Sequence, residues 1–509
     1  MDMSLKGKKY EAFLVLFGAL LYVFILLICT GTLTSGYHLA DDHEILLNTA
    51  RFREGIYTWK TFFHEGLFDY FAEGIRFRPF YSTLRLLCSY LFGTNYIAWS
   101  VLVGLEVAGC IILAYYVARN LKANIFFATL AAVFIVTGEQ GEIWWRLGPQ
   151  EPVGLLMCLG CMLLIQKYQI QPALWKEILI ILSAFLMAAS KESYTILLPA
   201  MILFGIGYDI WCNYNLDFGN RLKSAVRKNR WIIGILTALL CVNLYIIVFR
   251  VGVLSIGYAG IDTTEGIGGY IEMLKKITLR ENMRPYLFLQ LLSLFGIVFI
   301  LVNKTKEEII ESVKKNGILI ASLIIIYAVE AVLYAKSGMW GRYFVPFTVG
   351  LAFFNIAFIS VGLKNRWYKY FFGGILLCMT IYLYHGVWNN GIIFSEQGRT
   401  LEEGFHVIEK SFEPDQIIVS CMDMGGEWDY SFTHYAKIQM GMKNVYTWNE
   451  SVGFSSLYQE NEKDINELSE ADCLIIPEDK SITDFIVNGN GYEYLFDMGY
   501  GKVYEKVVT

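Results

Sequence analysis

The stretch Gly36-Tyr37-His38-Leu39-Ala40-Asp41-Asp42-His43-Glu44 decides how this chain is organised. It directly follows an apolar run, residues 12–33, that is long enough to cross a bilayer as a single helix. Carboxylates at the mouth of a membrane helix are costly to keep there unless other groups compensate their charge. We therefore expect cationic side chains from distant parts of the chain to face this acidic stretch.

The composition places the chain among polytopic membrane proteins. Of its 509 residues, 55% are hydrophobic and 17% are charged, whereas a soluble domain carries about 25% charged residues. Trp and Tyr crowd the ends of the apolar runs, as they do at membrane–water interfaces. The net charge of -5 is too small and too dispersed to indicate a nucleic-acid partner.

The apolar runs predict about eleven membrane-spanning helices. Lys and Arg are dense in one alternating set of connecting loops, which is therefore expected to be cytoplasmic, with the N-terminus on that side. The first run is too long for a cleaved signal peptide, so it should remain as the first span. The predicted spans are residues 12–33, 96–118, 124–137, 152–166, 178–190, 193–211, 231–250, 285–302, 317–335, 343–362 and 370–388.

The composition changes after the last apolar run and predicts two domains. Residues 1–390 form a transmembrane domain, and residues 391–509 form a small α/β domain. An odd number of spans from a cytoplasmic start places this second domain outside a plasma membrane. Its predicted elements are strands at Gln416–Cys421 and Cys473–Ile476, helices at Tyr430–Met440 and Lys463–Leu468, and a hairpin at Tyr494–Asp497 and Lys502–Lys506.

The loops on the expected outer side collect charges of both signs close to the membrane boundary. Residues 80–92 read as a helix lying at the outer interface rather than as a span. A turn at Lys191-Glu192 separates two spans, and another turn at Arg342 precedes a late span. Each of these charges alone could be solvated or end a helix, but together they should converge on the outer mouth of the helix bundle.

Carboxylates and arginines at a membrane surface suit group transfer from a lipid-linked phosphate. The lipid tail stays in the bilayer and its phosphate lies at headgroup depth, where Arg and Lys bind it and stabilise the leaving group. A carboxylate removes the proton from the acceptor hydroxyl, or holds a metal that does similar work. Trp144 and Trp145 would stack on sugar faces or anchor the lipid.

Four motifs stand in a specific order within residues 10–390. They are Asp41-Asp42 after the first span, Arg76-Phe77-Arg78-Pro79-Phe80 before the interfacial helix, Ser190-Lys191-Glu192-Ser193 in mid-chain, and Gly341-Arg342-Tyr343-Phe344-Val345-Pro346 at a late span. In this order they resemble the GT-C superfamily of integral-membrane glycosyltransferases. That superfamily includes protein O-mannosyltransferases, lipid A aminoarabinose transferases and bacterial surface-polymer glycosyltransferases.

The resemblance implies an active site in the outer loops. The first-loop acidic residue of the family is a catalytic base or a metal ligand, which corresponds here to Asp42 or Asp41. Adjacent residues on a helix point about 100° apart, so only one is expected to face the site, and we favour Asp42. The expected substrate-binding residues are Arg342, Arg78, Lys191, Glu192, Arg146, Trp145 and Tyr343.

The expected partners follow from the same resemblance. The donor would be a polyprenyl-phosphate-linked sugar and the acceptor an extracytoplasmic glycan, lipid or protein. A divalent metal such as Mg²⁺ or Mn²⁺ remains open as a cofactor. His38 and His43 flank the acidic pair, but histidines on an outer face more often contact solvent or lipid phosphate, so no metal site is predicted there.

Other functions remain as alternatives. A polysaccharide polymerase or ligase would centre on a long outer loop, and the loop at 252–284 is modest. A transporter or lipid flippase would want ionisable residues in mid-span, where Glu106 and Glu330 are the main examples. A receptor anchored by its spans would not need eleven of them.

Overall fold

The fold is that of a computed structural model, which describes most of the chain. The described residues are 5–39, 41–64, 76–148, 150–213, 217–250, 266–279, 283–302, 304–334, 341–363, 365–421, 426–449, 452–456, 461–477 and 491–507. Residues 252–265 of the predicted outer loop and the side chain of Glu330 therefore lie outside the described part.

Helices account for most of the described chain, and each of the eleven predicted apolar runs coincides with a helix. Their bounds are α1 (Leu5–Thr30), α2 (His43–Arg53), α3 (Trp59–His64), α4 (Pro79–Phe92), α5 (Tyr96–Asn120), α6 (Ile125–Phe134), α7 (Glu151–Ile170), α8 (Leu174–Ala188), α9 (Leu197–Cys212), α10 (Phe218–Lys228), α11 (Arg230–Tyr245), α12 (Gly266–Leu279), α13 (Arg284–Val302), α14 (Lys306–Tyr334), α15 (Val345–Ala357), α16 (Arg366–Ser411) and α17 (Gly426–His434).

Seven helical segments among the described residues are long and apolar enough to cross a membrane. They are residues 9–30, 96–120, 151–170, 192–212, 230–250, 284–302 and 366–411. The helices α6 and α15 are apolar but shorter, and α14 carries a charged first turn. The predicted class, an α-helical polytopic membrane protein with a small C-terminal α/β domain, is confirmed.

The helix predicted at residues 80–92 is observed as α4. Pro79 stands at its start, where a missing backbone N–H leaves no hydrogen bond unmade. The helix ends at Gly93, whose φ of +54° favours glycine. Arg85 is buried in the middle of this helix, so its guanidinium turns toward the protein interior.

The 46-residue helix α16 joins the membrane bundle to the C-terminal domain. At about 1.5 Å per residue it is about 69 Å long, roughly twice the thickness of a hydrocarbon core. The predicted domain boundary at residue 390 falls inside this helix. Its last turns pack into the core of the C-terminal domain through Leu401, Phe405 and Ile408.

The C-terminal domain contains a six-stranded mixed sheet with the strand order β3-β2-β1-β4-β6-β5. Strands β2, β1 and β4 are parallel, and the outer strands are antiparallel to their neighbours. Side chains alternate between two apolar faces, so that Ile418 packs toward α16 and Val419 packs on the opposite side. The strands are β1 (Ile417–Ser420), β2 (Asn444–Asn449), β3 (Gly453–Ser455), β4 (Cys473–Ile476), β5 (Tyr492–Asp497) and β6 (Lys502–Lys506).

Most elements predicted for this domain are confirmed, but the helix predicted at Lys463–Leu468 is wrong. The backbone there is irregular until a short 3-10 turn at Leu468–Glu470. Side chains take the hydrogen bonds that a helix would need, since the amide of Lys463 donates to Asn444 Oδ1 at 2.9 Å. Strands β2 and β3 were not predicted from the sequence.

Candidate active site

Asp41 and Arg342 form an ion pair between two loops that are 301 residues apart. The distance between Arg342 Nη1 and Asp41 Oδ2 is 2.5 Å. Asp41 has a φ of +72° and lies two residues before the start of α2, whose N-cap is Asp42. Arg342 reaches it from the 3-10 turn Gly341–Phe344 that opens α15.

Electrostatics keep the carboxylate of Asp41 ionised. Burial by itself raises the pKa of Asp41, but the charge and hydrogen bond of Arg342 outweigh it, with further help from Arg85 and Arg146. The pKa of Asp41 is therefore held well below its usual range, and the pKa of Arg342 is raised despite burial. Both groups are charged at neutral pH.

The neighbouring residue Asp42 points elsewhere. It is 2% exposed, and its Oδ2 accepts the backbone N–H of His38 at 3.0 Å. The ring of His38 in turn stacks on Phe394 of α16, with 3.8 Å between ring centroids. The structure thus brings Asp41, and not Asp42, to Arg342.

Arg85 contacts the backbone of Asp41 and the side chain of Glu44. Its Nε lies 2.9 Å from Glu44 Oε2, and its guanidinium also donates to the carbonyl oxygens of Gly148 and Asp41. Glu44 belongs to the first turn of α2, where a negative charge is favourable. No site role was predicted for Arg85, although a lone arginine inside an apolar helix is a signal that could have suggested one.

Lys191 and Glu151 form a second, fully enclosed ion pair. The distance from Lys191 Nζ to Glu151 Oε1 is 3.1 Å, and the two side chains are 1% and 0% exposed. Lys191 Nζ also lies 4.6 Å from the centre of the Tyr343 ring, and Arg342 lies 5.4 Å from the same ring. Tyr343 therefore sits within cation–π distance of both cations and links the two ion pairs.

Glu151 is part of this arrangement but was not among the predicted site residues. It opens α7, where the helix dipole also favours a carboxylate, and Arg342 and Arg78 act on its charge as well. Its position directly after Gly-Pro-Gln in the sequence, at the start of a predicted span, was the available signal. A carboxylate there needs a cation from elsewhere in the chain.

Arg78 and Glu192 form a third pair at the same face. Arg78 Nε donates to Glu192 Oε2 at 2.8 Å, and the backbone N–H of Phe77 donates to Glu192 Oε1 at 2.9 Å. Glu192 therefore fixes both the backbone and the side chain of the Arg76–Arg78 segment. Because Lys191 and Glu192 are adjacent, this pair lies beside the Lys191–Glu151 pair.

The two remaining predicted residues differ in their placement. Arg146 is half-buried and its charge acts on both Asp41 and Tyr500, so it belongs to the same neighbourhood. Trp145 is 1% exposed and packs in the main apolar core, as does Trp144. The predicted role of Trp145 in sugar binding stays a prediction.

Neither histidine beside the acidic pair is in a metal-binding arrangement within the described residues. His43 faces the C-terminal domain, with its ring 5.8 Å from those of Tyr430 and His434. No group of three His, Cys, Asp or Glu side chains that could hold a metal ion occurs in the part of the chain that the structure describes. Asp41 and Glu44 are each paired with an arginine, so these donors do not form a ready-made metal site.

Comparison with known proteins adds information on the fold. No protein-family model and no curated protein matches the sequence. The fold is similar to the crystal structure of ArnT from Cupriavidus metallidurans bound to undecaprenyl phosphate, with a TM-score of 0.50 and 11% identity over 99% of both chains. A weaker likeness, with a TM-score of 0.46 and 12% identity, to the Archaeoglobus fulgidus oligosaccharyltransferase in the apo form covers 86% of this chain and 64% of that chain. The chain thus shares the fold of ArnT over its whole length, beyond the residues 10–390 in which the sequence motifs indicated a resemblance.

Proposed function

We propose that the chain is a membrane glycosyltransferase that moves a sugar from a polyprenyl-phosphate-linked donor to an acceptor hydroxyl on the outer side of a plasma membrane. The observation that carries this proposal is the paired arrangement of Asp41–Arg342 and Lys191–Glu151 around the ring of Tyr343. A carboxylate that can accept a proton thus lies beside cations that can bind a phosphate.

The two adjacent acids have different roles in this proposal. Asp41 is the catalytic base, because its carboxylate faces Arg342 and is 27% exposed as a side chain. Asp42 is a positioning residue, because its carboxylate is buried and holds the backbone of His38. This proposal reverses the preference for Asp42 that was stated from the sequence.

The reaction is an inverting displacement at the anomeric carbon. The acceptor oxygen attacks that carbon as Asp41 takes its proton, and the bond between the anomeric carbon and the phosphate oxygen breaks. The electron pair leaves with the polyprenyl phosphate, whose added charge Arg342, Lys191 and Arg78 stabilise. The products are the glycosylated acceptor and the polyprenyl phosphate, with the proton on Asp41.

Donor binding would also activate the base. While Arg342 is paired with it, Asp41 is a weak base because its pKa is held far below neutral. A bound phosphate competes with Asp41 for the guanidinium of Arg342. Any weakening of the ion pair raises the pKa of Asp41 and so makes it a stronger base toward the acceptor hydroxyl. We infer that the donor enters before proton transfer can occur.

The other predicted residues receive narrower roles. Glu192 positions Arg78, and Arg146 adds positive charge near the candidate base Asp41. Trp145 supports the site from the apolar core rather than stacking on a sugar. The acceptor is a glycan, a lipid or a protein, and the C-terminal domain lies on the same side as the site, with the N-terminus cytoplasmic.

The experiment is transfer of a labelled sugar from a synthetic polyprenyl-phosphate donor by the purified full-length protein. Asp41→Asn should lower kcat by about 10²–10⁴-fold, the usual contribution of a general base. Asp42→Asn retains a side-chain oxygen that can accept the hydrogen bond from the backbone N–H of His38, so this variant should keep most of the activity. Glu409→Gln, in an exposed pair with His406, is the matched control. Full activity of Asp41→Asn would remove the base from the proposal.

The same preparation separates the alternatives. A polymerase or ligase would extend or transfer a preformed polymer and ignore the monosaccharide donor. A carrier would move lipid or solute across proteoliposomes even with Asp41→Asn. Cysteines placed in the C-terminal domain and at the N-terminus, labelled by a membrane-impermeant reagent in whole cells, test the proposed orientation.

A further inference from the structure

The segment that leads into the candidate base lies along one face of α16. Thr30 packs at Gly391, and Gly31 approaches Ser395, where an added Cβ would lie 2.9 Å from Ser395 Oγ. The next two contacts involve Gly398 and Glu402. Positions 391, 395, 398 and 402 are four, three and four residues apart, so they share one face of the helix.

Glu402 holds the backbone of the loop directly. Its Oε1 accepts the N–H of Tyr37 at 3.2 Å. Its carboxylate packs so closely on Gly36 that a Cβ there would overlap it, and the φ of Gly36, +76°, already favours glycine. The loop is thus fixed by a side-chain oxygen from a residue 365 positions away.

Gly398 provides the space for the next part of the loop. A Cβ at this position would overlap both the Nε2 atom of His38 and the carbonyl oxygen of Ser35. One of these is backbone, which cannot move aside as a flexible side chain can. Any larger residue at 398 must therefore displace the loop or the helix.

One hydrogen bond and one step along the chain connect these contacts to the candidate base. The N–H of His38 donates to Asp42 Oδ2 at 3.0 Å, and Asp42 is bonded to Asp41, which pairs with Arg342. The φ of Asp41, +72°, is unusual for a residue with a side chain and is maintained by its surroundings. A shift of the segment on α16 would therefore move the Asp41 carboxylate.

The same part of α16 belongs to the C-terminal domain. Leu401, Phe405 and Ile408 lie in the core of that domain, and the hydroxyl of Tyr37 donates to the carbonyl oxygen of Ser431 on α17 at 3.1 Å. The loop before the base is therefore held between two helices of the C-terminal domain. That domain is not a separate appendage of the membrane bundle.

We propose that Glu402 and Gly398 of α16 are positioning residues for the reaction, which set the Asp41 carboxylate against Arg342. The inference rests on the proposed function only in naming the reaction that the carboxylate serves. It assigns the C-terminal part of α16 a role in the chemistry, exerted through the backbone of residues 36–38 and the hydrogen bond between His38 and Asp42.

A matched pair of glycine variants on α16 tests the contact at Gly398. Gly398→Ala and Gly386→Ala both place a better helix former in the same helix. At Gly386, however, no described atom beyond the adjacent helix backbone lies within 4 Å of the Cβ position. Gly398→Ala should lower kcat at least tenfold and leave the donor KM within threefold, since the cations are not displaced. Gly386→Ala should leave both unchanged. Equal kcat values for the two variants would overturn the inference.

A second pair at Glu402 covers the case in which Gly398→Ala does not fold. Glu402→Gln keeps an oxygen that can accept the Tyr37 N–H and should retain activity, whereas Glu402→Ala should lower kcat as Gly398→Ala does. A purely structural role would instead lower the yield of folded protein without changing kcat. Loss of kcat in both variants, or in neither, contradicts the assigned role.

Amide hydrogen exchange separates this inference from the proposed function. The N–H groups of Tyr37 and His38 are both bonded, to Glu402 and Asp42, so Glu402→Ala should speed exchange in the peptide covering 36–44 at least tenfold. Glu402→Gln should not. If the wild-type protein transfers no sugar, the proposed function fails, but exchange still decides the positioning role. Unchanged exchange in Glu402→Ala would refute it.

Discussion

Removal of the charge on Glu151 should destabilise the protein strongly, although the change is isosteric. Glu151→Gln leaves the ammonium group of Lys191 with 1% exposure and no carboxylate at 3.1 Å. Breaking a buried ion pair at one partner costs about 3–5 kcal/mol. The cation–π contacts of Lys191 with Tyr343 and Tyr194 are already present in the wild-type protein, so they do not offset this loss.

The two halves of this pair should not be equivalent. Lys191→Met leaves the Glu151 carboxylate, which still feels the charges of Arg342 and Arg78. We therefore expect a smaller loss, about 2–3 kcal/mol, and only about 1–2 kcal/mol for the double variant, because replacing a whole buried pair is often nearly neutral. The coupling free energy between the two positions, which is the sum of the two single losses minus the loss in the double variant, is then about 5 kcal/mol.

Denaturant unfolding in detergent micelles, followed by circular dichroism, measures these free energies as a double-mutant cycle. The pair Glu272–Lys276 on α12 is a matched control, since its side chains are 69% and 64% exposed. Glu272→Gln should change the free energy of unfolding by less than about 0.5 kcal/mol. A loss below about 1 kcal/mol for Glu151→Gln would mean that the buried pair is not ionised, and the proposed role of Lys191 in stabilising the charge of the leaving phosphate would then be refuted.

Three further predictions concern other parts of the site. Burial, together with His43 and Arg51, lowers the pKa of His434 to about 4. Because an unfolded histidine titrates near about 6.5, the stability of the junction between α2 and α17 should be full above that pH and decline as the pH falls toward 4; hydrogen exchange of residues 426–439 against pH measures this, and a pH-independent profile would contradict it. Arg342→Lys should keep the charge but lose the planar guanidinium fork, lowering kcat about 10–100-fold with normal folding; wild-type kcat would show that charge alone suffices. Trp145→Leu should destabilise the core by about 2–4 kcal/mol yet leave the donor KM of the folded protein unchanged, whereas a raised KM would restore the predicted sugar-stacking role.

The apolar pattern was sufficient to predict the membrane bundle because lipid imposes a simple requirement on each span. Backbone groups in a bilayer must be satisfied within the helix, so runs such as residues 96–118 and 152–166 could only be helices. The C-terminal domain follows no such rule. The segment at Lys463–Leu468 has helix-compatible spacing, but contacts from Asn444 and Glu470 take its backbone N–H groups instead.

The membership of the charged cluster was only partly predictable. Motifs in separate loops indicated Arg342, Lys191 and Arg78. Charges beside short turns at one membrane face are expected to converge on the outer mouth of the helix bundle, because they cannot enter the apolar bilayer without cost. The sequence offered no way to pair them. Lys191 binds Glu151, which stands 40 positions earlier at the start of another helix, and not its neighbour Glu192. Pairing depends on helix packing, which the loop sequences do not encode.

The adjacent acids Asp41 and Asp42 illustrate this limit most directly. The expectation that favoured Asp42 assumed that both residues lie on a helix and point about 100° apart. In fact α2 begins at His43, and Asp41 has a left-handed backbone conformation, so helix geometry does not apply to it. Glu402 and Gly398 contact the residues that precede Asp41, and Arg85 donates to the carbonyl oxygen of Asp41 itself. The orientation of the Asp41 carboxylate therefore depends on contacts from several distant parts of the chain, and no local rule could have chosen between the two acids.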